Sequence, residues 1–273
     1  MKPIERLFER EGLPSFGLSP ALAEAYGGDF GLTRPGLYAN FVSSTDGLVA
    51  LSGAGGLSGR VISGNSEPDR FVMALLRASA DAVLIGAGVF RSVSGNLWHA
   101  ETVYPEGAHH FVALRQQLGL RPHPLLVVVT ASGHIDVSQP ALRDALIVTS
   151  PAGKTHLGGT LPPGARLAVI NAQPFGSKTL MGVLSAEGLS VVLSEGGPSL
   201  IGRLFRDGQV NELFLTRSPL LFGRTPNDQH KSLVEGVDLG GQRMHLLGVR
   251  RHESHLFLRY ALHAPPPGPV GLG

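Results

Sequence analysis

Residues 191–205 read VVLSEGGPSLIGRLF. An apolar run is cut by an acidic residue, two glycines and a proline, and then Leu200, Ile201, Leu204 and Phe205 return at the spacing of an apolar helix face. A plain turn can use the same letters, because glycine tolerates positive φ and proline pre-sets the backbone. The placement says more. The glycines fall between the carboxyl end of a buried strand and the first turn of a helix. Free backbone N–H groups and the helix dipole favour a phosphate there, and open α/β sheets bind ligands at such strand ends.

Working outward, AVLI (82–85), LLVVV (125–129), ALIV (145–148) and RLAVI (166–170) repeat the short continuous Val/Ile/Leu pattern. Such runs, separated by helical stretches, belong to strands buried on both faces, hence to a largely parallel sheet. LYANFVSS (37–44) reads as the first strand and VNELFLTR (210–217) as a late one. Ser66-Glu67-Pro68-Asp69 is a capping-box-like start for a helix whose apolar face is Phe71, Val72, Leu75 and Leu76. Ser177 is the expected cap of a helix carrying Leu180, Met181, Val183 and Leu184. MHLLGV (244–249) and HLFLRYA (255–261) flank polar RRHES and read as an antiparallel hairpin at a sheet edge. Residues 1–36 read as a loosely attached extension, with Ser19-Pro20 starting a short helix through Tyr26, and LSGAGGLSGR (51–60) as a mobile glycine-rich loop. The expected division is an extension (1–36), one α/β domain (37–262) and a disordered tail (263–273) ending APPPGPVGLG.

Composition narrows the classes. The 273 residues, 42% hydrophobic and 16% charged, suffice for a full core. With 37 glycines and 20 prolines the chain is rich in turns. A net charge of +2 without a long basic run argues against nucleic acid. The absence of cysteine removes disulfides, thiolate metal sites and cysteine nucleophiles. The start MKPIERLFEREG has no apolar signal core, and no apolar run reaches the roughly 20 residues of a membrane span. A soluble cytoplasmic protein is the expectation. His109-His110, His245, His252 and His255 lack the helical i, i+4 pattern of a metal site, so no metal is expected. Ser43, Ser44 and Ser194 lack a base partner, which argues against a serine hydrolase.

A second glycine loop lies in ADAVLIGAGVFR (80–91). As a dinucleotide fingerprint it fails, because Arg91 stands at the third glycine position. Two glycine loops at strand ends of one parallel sheet nevertheless suit a pyrophosphate cradled from both sides. The bland alternative is that both are tight turns.

Four ordered motifs then carry a resemblance: NFVSSTDG (40–47), LLRASADAVLIGAG (75–88), VVLSEGGPSLIGRLF (191–205) and VNELFLTRSPLLFG (210–223). Together they resemble the reductase domain of riboflavin biosynthesis, the carboxyl-terminal half of bacterial bifunctional deaminase–reductases. The likeness runs from about Leu37 to Ala261. It implies a dihydrofolate-reductase-like three-layer α/β/α fold with a mostly parallel central sheet and a carboxyl-terminal antiparallel hairpin. A deaminase zinc motif cannot exist without cysteine. The resemblance implies NADPH as cofactor, facing Gly86, Ala87, Gly88, Val89 and Arg91 on one side and Gly196, Gly197, Pro198, Ser199 and Leu200 on the other. It also implies a cis Gly196–Gly197 peptide. Arg91 is positioned for a 2′-phosphate, and Thr130 is a candidate on the adenosine side. Asn40, Ser43, Asp46 and Glu195 match the substrate pocket, with Asp46 and Glu195 as the catalytic carboxylates. Trp98 either stacks on a substrate ring or anchors the 91–105 loop.

Three departures stand out. The family's lysine after Asp-Gly, expected near a substrate phosphate, is Leu48; its threonine after GAG is Val89; and its Asp-Asp-Pro is replaced by SVSGN (92–96). The implied activity is reduction of an aminouracil ribosylamine, with hydride passing to the sugar C1′. Reduction of a dihydropterin-type ring, or nucleotide binding without turnover, are the alternatives. A homodimer is expected, with LFLTR (213–217) and HLFLRYA (255–261) as interface material.

Overall fold

The structure, a computed structural model, describes residues 1–93, 95, 97–159, 161–171 and 176–263. Residues 264–273 of the expected tail, and positions 94 and 96 of the SVSGN departure, lie outside the described residues.

The chain opens with β1 (Glu5–Glu9), α1 (Pro20–Tyr26), β2 (Gly36–Ser43), β3 (Leu48–Ala50), α2 (Ser58–Ile62) and α3 (Glu67–Ser79). Next come β4 (Ala82–Gly86), α4 (Ala87–Ser92), α5 (Ala100–Val103), α6 (Ala108–Gln117), β5 (Leu125–Thr130) and β6 (Leu146–Thr149). Then follow α7 (Pro151–Leu157), β7 (Arg166–Val169), α8 (Ser177–Ala186), β8 (Val191–Ser194) and α9 (Pro198–Arg206). The chain closes with β9 (Glu212–Arg217), β10 (Lys231–Ser232), β11 (His245–His252) and β12 (His255–Ala261).

Ten strands form one sheet in the order β1-β11-β12-β9-β2-β8-β4-β5-β6-β7. From β9 to β7 every pairing is parallel. The β11–β12 hairpin adds antiparallel strands at one side, as its alternation predicts. Alternate residues of each parallel strand enter opposite cores, which is the signature of a sheet covered on both faces. Val83 and Ile85 pack with Phe71, Leu75 and Phe111 on one side; Ala82 and Leu84 pack with Leu180, Ile201 and Leu204 on the other. The result is three layers, α/β/α. Among the described residues no helix is long and apolar enough to cross a membrane.

One expectation is corrected. Residues 1–36 are not loosely attached. β1 pairs with β11, and Ile4, Leu22, Tyr26 and Phe30 are buried in the main core. Arg250 explains the attachment. Its guanidinium stacks 3.9 Å from the Tyr26 ring centre, donates to the Tyr26 carbonyl at 3.0 Å and pairs with Glu9 at 2.7 Å. Removing the amino-terminal segment would strand a buried cation. The strands β9 and β12, expected as interface material, lie inside the sheet with partners on both edges. Their backbone N–H and C=O groups are spent on neighbours, which leaves only their faces to any second copy.

The glycine-rich stretch 51–60 takes regular structure over part of its length. It contains a 3-10 turn, Gly55–Leu57, and the start of α2. A Cβ on Gly56 would fall 2.3 Å from the Ser92 carbonyl oxygen, so only glycine lets this turn lie against the end of α4.

Candidate active site

Two cavities open at the carboxyl ends of β4 and β8, where the two glycine loops meet. The first, of about 720 Å³, is lined by Asn40, Asp69, Arg77, Trp98, Glu195 and Gly196 among others. The second, of about 650 Å³, is lined by Gly86, Ala87, Gly88, Arg91, Ser199 and Leu200 among others. Ala50, Ser58, Val89, Ser92, Gly197 and Pro198 front both. The glycine loops, 110 residues apart in sequence, thus form one wall because β4 and β8 are adjacent parallel strands.

The second cavity fits a dinucleotide on two grounds. No heavy atom lies within 4 Å of where a Gly88 Cβ would stand, and a Gly86 Cβ would meet only Leu200, at 3.8 Å. Bare main chain therefore borders the cavity, as a pyrophosphate needs. Arg91, Arg203 and Lys231 line it with positive charge. Arg91 spends one donor on the His134 carbonyl at 2.8 Å. Arg203 and Lys231 escaped the sequence reading: Arg203 hides in the polar face of α9, and Lys231 comes from the short strand β10, which pairs with β3.

Three expected residues are placed elsewhere. Thr130 is buried and lines neither cavity; its hydroxyl accepts from the Gly133 amide at 3.0 Å and so braces the turn after β5. Ser43 is buried in β2, its hydroxyl without a hydrogen-bond partner among the described residues and outside both cavities. Asp46 is exposed in the β2–β3 turn, where its carboxylate accepts from the Gly223 amide at 2.7 Å and the Phe222 amide at 3.4 Å. These hydrogen bonds hold its carboxyl below the usual range, led by the Ser44 hydroxyl. Asp46 thus fastens the 218–223 loop. The expected cis bond is also absent: the Gly196–Gly197 peptide is trans, with Gly197 extended at φ −66° and ψ 168° as the cap of α9. An extended cap carries the strand into the helix without inversion.

Glu195 is where the sequence put it, in the first cavity, but it is not free. Arg77 Nε donates to Oε1 at 2.9 Å and Arg77 NH2 to Oε2 at 2.6 Å, with both side chains nearly buried. A third Arg77 nitrogen donates to the His99 carbonyl at 3.3 Å. A carboxylate in this fork has both oxygens committed to one cation. Trp98 is 2% exposed, stacks on Phe90 at 6.1 Å and borders the first cavity, so it anchors its loop and also walls the site.

The group sequence reasoning missed is Asp69, read only as part of a capping box. The cap is real: the Ser66 hydroxyl accepts from the Asp69 amide at 3.4 Å. The side chain, however, is 7% exposed and lines the first cavity. Burial pushes its pKa up to about 6, against the opposing pull of the Thr216 hydroxyl, His255 and Arg70. Asp69, Met73 and Arg77 recur at i, i+4 and i+8 on α3 and all face this cavity. That stripe, cutting an otherwise apolar helix, was the available signal.

Next to the cavity wall, His99, Glu101 and His123 place one ligand atom each within 4.8 Å of one another. The two imidazoles stack at 3.9 Å with planes 5° apart, and both Nδ1 atoms face Glu101 Oε1, at 3.4 and 3.0 Å. Burial, then the His123 ring, lowers the pKa of His99.

The class is therefore an α/β protein with a cofactor-type cavity and a second, acid-bearing cavity sharing one wall at the tips of parallel strands. The RibD C-terminal domain model matches residues 35–256, and the chain belongs to that family. A curated relative from Archaeoglobus fulgidus, a 2,5-diamino-6-ribosylamino-4(3H)-pyrimidinone 5′-phosphate reductase, is 24% identical over 193 residues, covering 70% of this chain and 83% of its own. Among solved structures, a pyrimidine reductase-like protein from Corynebacterium diphtheriae is similar, with a TM-score of 0.65 and 22% identity, covering 85% of this chain and 93% of its own. Acinetobacter baumannii RibD follows, with a TM-score of 0.64 and 18% identity over 88% of this chain and 59% of its own.

Proposed function

We propose that the protein is an NADPH-dependent reductase of a ribosylaminopyrimidine, acting in the manner its relatives' names describe. The observation that carries this reading is the shared wall between the two cavities, because hydride transfer demands contact between cofactor and acceptor. Gly86, Ala87, Gly88, Val89, Gly197, Pro198, Ser199 and Leu200 would hold the dinucleotide, and Arg91, Arg203 and Lys231 supply charge for its phosphates. When bound, the nicotinamide supplies the hydride.

The chain itself must supply one proton, since reducing the ring-opened imine adds hydride to C1′ and a proton to nitrogen. Asp69 suits that task better than Glu195. With a pKa of about 6 it carries a proton in a useful fraction of molecules near neutrality. Both Glu195 oxygens are taken up by the Arg77 fork, so this side chain shapes the pocket. Asn40, whose side chain is only partly buried in the same cavity, offers donor and acceptor to a pyrimidine edge. A homodimer and a cytoplasmic setting belong to the same reading.

The test is oxidation of NADPH followed spectroscopically with the diaminopyrimidinone, the aminouracil and dihydrofolate as separate acceptors. Consumption with a ribosylaminopyrimidine supports the reading. Consumption with dihydrofolate alone favours the pterin alternative, and tight NADPH binding without turnover of any acceptor favours a binding protein.

A further inference from the structure

Position 48, where the family resemblance expects a cation, offers none. Leu48 is 0% exposed, its amide is held by the Ser44 hydroxyl at 2.9 Å, and it lines neither cavity. The first cavity nevertheless has a basic corner. Arg60 from α2 and Arg70 from the start of α3 both line it. Both are drawn to one side chain: Arg60 Nε donates to Asn65 Oδ1 at 2.8 Å, and Arg70 NH1 donates to the same oxygen at 3.2 Å and to the Asn65 carbonyl at 2.9 Å. Asn65 makes this possible by turning the chain at φ 58°, a conformation asparagine adopts more readily than most residues.

Two guanidinium groups held side by side repel each other, so the arrangement calls for an anion. No carboxylate among the described residues provides it. Among the described residues neither arginine lies within salt-bridge distance of a carboxylate, and Glu195 is already neutralised by Arg77. Asp69 lines the same cavity, and Arg70 acts on it electrostatically without an ion pair between them. The terminal nitrogens of Arg60 and NH2 of Arg70 make no hydrogen bond among the described residues. Arg60 is exposed and Arg70 half-buried, so the pair stands where the cavity meets solvent. A phosphate monoester, with close to two negative charges and three acceptor oxygens, matches that donor set.

We infer that Arg60 and Arg70 form an anion subsite that takes the terminal phosphate of a phosphorylated substrate, doing from α2 and α3 what position 48 does not. The inference rests on the proposed reductase reading for the rest of the substrate, though not for the phosphate itself. A phosphate monoester could also be the 2′-phosphate of the cofactor. Arg60 and Arg70 line the first cavity and not the second, which selects the substrate.

The test compares wild type with Arg60→Gln, Arg70→Gln and the double variant, after thermal melts confirm that each folds. Calorimetric titration with ribose 5-phosphate and with ribose isolates the subsite; NADPH and NADH titrations check the cofactor side. Each single change should weaken ribose 5-phosphate about tenfold, as expected for losing a hydrogen bond to a charged group. The double variant should bind ribose 5-phosphate no better than ribose, while the preference for NADPH over NADH stays as in wild type. With the phosphorylated pyrimidine, KM should rise and kcat hold, and Arg60→Lys/Arg70→Lys should recover part of the loss. Equal ribose 5-phosphate affinity in wild type and double variant overturns the inference, as does a selective loss of NADPH affinity. If neither pyrimidine is reduced yet ribose 5-phosphate binding still depends on the two arginines, the reaction assignment fails and the subsite stands.

Discussion

Arg77 meets Glu195 through two parallel contacts, of 2.9 and 2.6 Å, across 118 residues of sequence, and so ties the last turn of α3 to the loop after β8. The Arg77 side chain is 3% exposed and that of Glu195 10%. Each charge therefore depends on the other for its solvation. Arg77→Met should destabilise the protein by about 3–5 kcal/mol in urea unfolding, because it leaves a buried carboxylate unpaired. Arg77→Met combined with Glu195→Met should cost clearly less than the single change. Additive losses in the two single variants and the double would show that the residues do not act as a pair.

Asp69 gives a prediction with a sign. Its pKa in the folded protein, about 6, lies above the ordinary 3.8, so the fold binds the proton more tightly than the unfolded chain. The stability linked to that proton is complete below pH 3.8 and is lost as pH rises through about 6. Asp69→Asn removes the ionisation. Its melting temperature should exceed that of wild type at pH 8, by the equivalent of up to about 3 kcal/mol, and the difference should vanish towards pH 4. Turnover should show the opposite cost, a loss of roughly 10²–10⁴-fold if Asp69 is the proton donor, together with loss of the wild-type decline in rate above about pH 6.

Gly88→Val separates folding from cofactor binding. The added side chain starts in open space and projects at the second cavity, so unfolding should be nearly unchanged while the NADPH Kd rises tenfold or more, about 1.4 kcal/mol. Gly197→Val is the companion. Its Cβ would stand 3.4 Å from Val89 on the shared wall, and it should impair both cofactor and substrate sides. Unaltered quenching of protein fluorescence by NADPH in Gly88→Val would remove the second cavity from the cofactor assignment.

Tyr26→Ala tests the amino-terminal attachment. It deletes an aromatic ring that packs on Phe30 and carries the Arg250 guanidinium, and it should cost about 3–5 kcal/mol in urea unfolding. A chain starting at residue 37 should aggregate, since it would expose that cation and the Phe30 pocket. Asp46→Asn should behave differently, leaving turnover near wild type while the 218–223 loop becomes easier to cleave by protease, as its anchor to the Gly223 amide weakens.

The parallel sheet was legible because strands covered on both faces must be apolar throughout, and VVL, AVLI, LLVVV and ALIV stand out for that reason. β1 was not legible. ERLFE is an edge strand with Leu7 and Phe8 exposed, so it shows neither continuous apolar character nor a buried alternate face. The glycine loops were legible as a pair since their chemistry is local. Asp69 was not, because its backbone role at a helix start is visible in sequence whereas the direction of its side chain depends on α3 docking over β2 and β8. Asp46 shows the converse ambiguity: an Asp-Gly pair after a strand looks the same whether it faces a pocket or, as its bond to the Gly223 amide does, fastens a loop.

The wall fronted by Val89, Gly197 and Pro198 belongs to both chambers at once. A reactant on one side therefore sets the boundary that the other must match, and the influence is mutual: whatever factor the dinucleotide adds to acceptor affinity, the acceptor must return to the dinucleotide. Both must also be resident together for electrons to cross, so initial-rate plots against either reactant should intersect and never run parallel.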